Sequence, residues 1–205
     1  MKLFSYVMKY DDGFAPNTTG NLLTLATCKP AIRRIAKIGD FIIGTGSLPR
    51  GDQGQLIYIM QVTEILTIEE YSKDRRFFDK IPNMSGNKLK QAGDNIYRFE
   101  GETIIQLDSK HSDSEGFIVK EHMTKDMSGK NVLISSNYVY YGQNSKVIPQ
   151  RFRYCNGEDI CIEKSGHKTF PKEHYSVLNE FIEWAYDHEP AENMVVGLPS
   201  DWNKQ

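Results

Sequence analysis

Segments that read as strands outnumber those that read as helices, and the two do not alternate along the chain. Strand readings fall at residues 2–8, 40–45, 55–63, 103–107, 131–135 and 138–141, and 55–63 (QLIYIMQVT) is the clearest of them. Helical readings fall at 28–38, where Pro30 suits the first turn and Gly39 is a stop. A second helix is opened near residue 68 by the capping box Thr67-Ile68-Glu69-Glu70 and runs to about Lys73. A third is expected over 171–187, with Tyr175, Leu178, Ile182, Ala185 and Tyr186 on one face. A doubly wound parallel sheet needs strand and helix in regular succession, so this order argues against it. The expectation is α+β: a single domain over residues 1–205 built on a curved, mostly antiparallel sheet or barrel. Flanking helices and polar insertions at 79–101 and 109–130 complete it.

With 205 residues, 39% of them hydrophobic, the chain is long enough to bury a real core. A net charge of -2 removes the whole-chain basic footprint expected of a strong duplex binder and leaves room for a local basic patch. Cys28, Cys155 and Cys161 form no C-x-x-C pair and read as free thiols, so a reducing cytoplasm is the expected location. The opening LFSYVM reads as a short strand, not as the core of a signal segment. No apolar run approaches the roughly 18 residues of a membrane span, so no membrane partner is expected.

Four stretches carry candidate chemistry. Gly44-Thr45-Gly46-Ser47 follows a strand without the Lys or the helix of a phosphate-cradling loop, yet its glycines permit close backbone approach and Thr45 and Ser47 offer hydroxyls. Thr27-Cys28-Lys29-Pro30 opens a helix whose free N–H groups suit a phosphate or carboxylate, with Lys29 and Arg33 as counter-charges. Cys28 there is in a position that can activate a thiol, although no His lies near it in sequence. Lys110-His111-Ser112-Asp113 puts a base, a hydroxyl and a carboxylate in one loop. Neighbouring side chains do not converge in triad geometry, so a triad has to be assembled from distant segments; in an enzyme, Asp113 or Asp94 is the expected support for His111. Asp74-Arg75-Arg76-Phe77-Phe78 either grips nucleic acid or tucks its rings into the core. His174 and His188 are too far apart for a local metal pair; no metal and no cofactor is expected.

The runs DDGFAPN, TLATCKPAIRRIAKIGDFIIGTGS, IYIMQVTEILTIEEYSKDRRF, GDNIY, KHSD and NVLISSNYVYYG are similar to the second of the nucleotide-modification-associated domain families. The resemblance covers most of residues 1–145 and part of the last helix. It implies a link to DNA-base modification in bacteria and tailed phages. His111, Ser112 and Asp113 carry over by position; Lys110 stands where relatives often have a second histidine. The layout of 29–37, 39–40, 41–47, 55–64 and 67–74 also resembles EVE and related PUA-like domains, which hold modified or flipped bases. That likeness implies one pocket bordered by Phe14, Asn17, Thr27, Cys28, Lys29, Thr45, Gly46 and Ser47. Phe14 would stack on a base, Asn17 would read its edge, and Lys29 with Arg33 would take a phosphate. The expected partner is a nucleotide or modified base, free or within nucleic acid. The expected function is its binding, in the setting of DNA modification or phage–host conflict. The alternatives are an enzyme using His111 as acid or base, and sequestration of a small nucleotide signal.

Overall fold

The apolar run at 55–63 forms the strand Gln55–Gln61, whose residues Leu56 to Met60 are all buried. Burial of both strand faces explains why it reads as a continuous apolar run and not as an alternating one. The computed structural model describes residues 1–186 and 193–203. They divide into two compact units: Met1–Asp11, Lys37–Thr63 and Ser135–Gln205 make the first, Asp12–Ala36 and Glu64–Ile134 the second.

The first unit holds a seven-stranded sheet in the order Lys168–Pro171, Lys2–Val7, Phe41–Thr45, Gln55–Gln61, Asn137–Tyr140, Met194–Val195, with Lys146–Val147 also on Gln55–Gln61. Lys2–Val7 runs parallel to Phe41–Thr45, and Met194–Val195 parallel to Asn137–Tyr140; the other pairs are antiparallel. The end strands do not meet, so the sheet is open and mixed, and the expected barrel does not form among the described residues. A parallel pair needs a long crossover, and residues 8–40 supply it, passing through segment 12–36 of the second unit.

Leu178, Phe181 and Ala185 of the helix Leu178–Ala185 join Leu3, Ile43, Leu56, Ile59 and Val139 in the core of this unit. This helix is shorter than the one expected over 171–187. Residues Lys168–Pro171 instead add an edge strand against Lys2–Ser5, and Lys172–His174 form a 3-10 turn. Pro171 is tolerated at that edge because the ladder ends there. The expected last residue of the helix, Asp187, and His188 lie outside the described residues.

The second unit pairs Leu23–Leu25, Asn131–Ser135 and Glu64–Thr67 in one sheet, and Tyr97–Glu100 with Thr103–Gln106 in a hairpin. Phe14, Tyr71, Phe77, Ile96, Tyr97 and Val132 fill its core. The polar stretches 79–101 and 109–130 are not loops throughout: they carry the helices Lys88–Gln91 and Lys120–Met127 and the first hairpin strand. Helix 28–38 contracts to Pro30–Ile35, because Cys28 and Lys29 take left-handed φ values of 56° and 40° and Ala36 is extended. Around Asp74, Phe77 is buried while Arg76 pairs with Glu64 and Asp74, a local clasp.

The capping box forms as expected: the Thr67 hydroxyl accepts from Glu70 N–H at 3.1 Å, and Thr67 N–H donates to the Glu70 carboxylate at 2.8 Å. The Thr67 N–H, together with the Thr67 hydroxyl that donates to the same carboxylate at 2.8 Å, holds the Glu70 carboxyl below its usual range. Thr67→Ala is expected to lower the melting temperature by a few degrees without altering Cys28 reactivity, as read by thermal melts and thiol labelling.

Candidate functional site

Three polar side chains from distant positions of the second unit meet in a line. The Cys28 Sγ lies 3.6 Å from His111 Nε2. The other ring nitrogen, Nδ1, lies 2.9 Å from Asp126 Oδ2. That second contact is an ion pair too bent for a straight N–H···O bond. Cys28 comes from the left-handed turn before Pro30–Ile35, His111 from the loop after Thr103–Gln106, and Asp126 from the helix Lys120–Met127. Thiol and carboxylate sit on opposite edges of one imidazole, the order in which a base is held and a thiol activated.

Each member is fixed by its surroundings. Asp126 is 1% exposed and is a hub. Its Oδ1 accepts the Cys28 backbone N–H at 2.7 Å, its Oδ2 accepts the Tyr97 hydroxyl at 2.9 Å, and Arg33 stands 3.7 Å away. Burial raises the Tyr97 phenol pKa, and the neighbouring Asp126 carboxylate raises it further. His111 is wedged between the Phe14 ring, edge-on at 4.7 Å, and the exposed His122 ring, also at 4.7 Å. Burial pulls the His111 pKa down, but Asp126 and Cys28 outweigh it and push it up to about 9. The Cys28 thiol is half-buried and free. Consecutive left-handed residues other than glycine, as at Cys28 and Lys29, are strained and concentrate at functional sites.

The remaining expected residues separate sharply. Arg33 is fully buried and donates to the carbonyls of Cys28, Asn131 and Asp126 at 2.8, 2.8 and 2.6 Å, so it ties backbone together and is no counter-charge for a ligand. The Asp126 carboxylate already takes the Cys28 N–H, and Lys29 caps a helix of only six residues, so the expected phosphate site at this helix start is filled from within. Asn17 is fully buried and its amide is saturated. It donates to the Gly13 and Ala92 carbonyls and accepts from Thr19 N–H and Lys80 Nζ, which leaves nothing to read a base. Phe14 packs in the core and braces His111 instead of offering a free face.

Asp113 closes its own loop by accepting from the Glu115 and Phe117 N–H groups. Asp94 is buried and accepts the Tyr71 and Thr24 hydroxyls at 2.6 and 2.7 Å; the carboxylate beside His111 is Asp126. Thr45, Gly46 and Ser47 belong to the first unit. There a Cβ on Gly46 would lie 2.0 Å from the Asp52 carbonyl oxygen, so that glycine serves chain packing. Ser47 N–H donates to Asp52 at 2.7 Å, and Thr45 Oγ1 donates to the Tyr6 carbonyl at 3.3 Å. Thr27 is fully buried with its hydroxyl unpaired among the described residues.

Asp126 escapes a reading of the sequence because it sits in a polar stretch that looks like a loop. Its place on the buried face of Lys120–Met127 is set by Met123 and Met127, which pack against the core. A shallow groove along Lys120, Glu121, Thr124, Lys125 and Ser128 occupies the opposite face of that helix and is separate from the thiol. Among the described residues no group of three or more His, Cys, Asp or Glu side chains is arranged to hold a metal ion. Nor is any helix among them long and apolar enough to cross a membrane.

A family model described as nucleotide modification associated domain 2 matches residues 1–205. The chain belongs to this family. No curated protein and no solved structure matches it. Lys110, the residue before His111, pairs with Asp12 at 2.9 Å. A second imidazole is present beside His111, supplied by His122, whose Nδ1 lies 3.2 Å from the His111 carbonyl oxygen.

Proposed function

We propose that this chain is a thiol-dependent enzyme acting on a nucleotide or nucleic-acid base, with Cys28 as nucleophile, His111 as acid and base, and Asp126 as the group that orients the imidazole. The observation that carries the reading is the chain of contacts from Cys28 Sγ through both nitrogens of His111 to the buried Asp126. His111 rests as the imidazolium near neutral pH, so in the first step the Cys28 S–H proton leaves to solvent and the thiolate is held against His111 Nε2. The thiolate then forms an S–C bond at an electrophilic carbon of the substrate. The electron pair displaced from that carbon takes the proton held on His111, which Asp126 supports as the imidazolium until that transfer. Membership of a nucleotide-modification family supports a nucleotide or base as the substrate. Binding or sequestering the same ligand without chemistry needs no thiol on a strained turn facing an imidazole, which favours the enzyme over the PUA-like reader.

Limited iodoacetamide labelling with peptide mapping tests this. Cys28 is expected to react well ahead of Cys155 and Cys161, both buried, the latter with its thiol pKa pushed up to about 12 by burial. His111→Gln should remove about tenfold or more of that lead, and should cut turnover of any substrate found in a nucleotide panel by about 10²-fold or more. Equal labelling of Cys28 in the wild type and in a folded His111→Gln variant, with no product or adduct by mass spectrometry, would return the protein to the binding class.

A further inference from the structure

Gln106 ends the strand Thr103–Gln106, five residues before His111. It is 6% exposed, and neither its amide oxygen nor its amide nitrogen has a hydrogen-bond partner among the described residues. Its register places it directly opposite Tyr97 in the antiparallel hairpin, as Ile104 lies opposite Phe99. Directly opposed residues project to the same face of a hairpin. Tyr97, Phe99 and Ile104 all pack on the core cluster, so Gln106 is the polar member of an apolar row. From that row the Tyr97 hydroxyl reaches Asp126. Thr27, next to Cys28, repeats the pattern: it is fully buried with its hydroxyl unpaired.

Buried side-chain amides ordinarily find partners, and one with both ends unpaired is destabilising unless a ligand completes it. A Gln amide offers a donor and an acceptor side by side, the complement of the paired donor and acceptor on a nucleobase edge. Resting on the enzyme reading above, we propose that Gln106, assisted by the Thr27 hydroxyl, reads the hydrogen-bonding edge of the base that Cys28 attacks. Gln106 is then the specificity residue of the site, in the place that the sequence assigns to Asn17. A free nucleotide and a base turned out of a nucleic-acid strand present the same edge.

The test is protection of Cys28 from iodoacetamide in the full chain. One arm uses the four 2′-deoxynucleoside 5′-monophosphates and 5-hydroxymethyl-dCMP; the other uses single-stranded oligonucleotides of the same bases. At least one probe should slow wild-type labelling, and the more potent arm identifies the source of the base. In Gln106→Leu the half-protecting concentration should rise about tenfold or more, while the melting temperature stays equal to or above the wild type, since an apolar group of similar size replaces an unpaired amide. Gln106→Glu, which exchanges a donor for an acceptor, should change the order of preference among the bases. If the wild type is protected and both variants are protected identically, the assignment of Gln106 fails while the enzyme reading stands. If Gln106→Leu unfolds or melts well below the wild type, the amide is structural and the assignment fails. If no probe protects the wild type, the nucleotide reading falls and takes this inference with it.

Discussion

Asp126→Ala should destabilise the protein by about 3–5 kcal/mol, the usual consequence of removing one partner from a buried charged cluster. Four groups lose their common acceptor at once: the Cys28 N–H, the Tyr97 hydroxyl, the raised His111 imidazole and the buried Arg33 guanidinium. Arg33 keeps its three backbone carbonyls, so the main loss falls on the strained turn and on the imidazole. Urea denaturation checks the magnitude. Asp126→Asn is the discriminating partner variant. It keeps the shape and one acceptor oxygen, turns the other into an NH2 donor and should cost about 1–3 kcal/mol, and it removes the negative charge. His111 should then titrate closer to the ordinary histidine range, observable in its ring proton shifts, and Cys28 should lose its lead in labelling. A loss below about 1 kcal/mol for Asp126→Ala would mean that the cluster is not the buried hub described above.

Local rules wrote some of this structure plainly into the sequence, and non-local ones did not. The capping box at Thr67 is complete within four residues, so its chemistry is legible without the fold. The strand Gln55–Gln61 announces itself because burial on both faces demands an unbroken apolar run. The line from Cys28 through His111 to Asp126 is different in kind. Cys28 and His111 are 83 residues apart, and Cys28 and Asp126 are 98 apart, so nothing local signals their meeting. The same limit misdirects the choice of amide. Asn17 lies in a Gly- and Thr-rich stretch that looks like a pocket rim, yet Gly13, Thr19, Lys80 and Ala92 saturate it. Gln106 closes a short strand and looks ordinary until the hairpin register and the lack of partners are known. The charged side chain of Arg33 reads as a surface group because only the fold reveals three carbonyls converging on it.

Raising the pH from 6 to 9 should weaken the protein by up to about 3 kcal/mol through His111 alone, at 1.36 kcal/mol per unit of pKa difference. The folded value is about 9, above the ordinary 6.5, because the Asp126 and Cys28 contacts outweigh burial. In that interval the folded chain binds a proton that the unfolded chain has released. The stabilisation is therefore complete below pH 6.5 and disappears as the pH passes through about 9. Lys80 acts in the opposite sense. Burial lowers its pKa from 10.5 to about 8, against the pull of Asp94 and Asp79, while its ammonium donates to the Asn17 carbonyl and side-chain oxygens. Between those two values the unfolded chain holds the extra proton, so stability from this group rises with pH. The two opposed slopes should leave a minimum in the urea midpoint between about pH 8 and about pH 9. His111→Gln should flatten the falling limb and leave the rise above pH 8, whereas Lys80→Met should remove the rise and leave the fall. A falling limb that survives in the folded His111→Gln variant would show that His111 is not held as a cation, and the ion pair at the centre of the proposed mechanism would go with it.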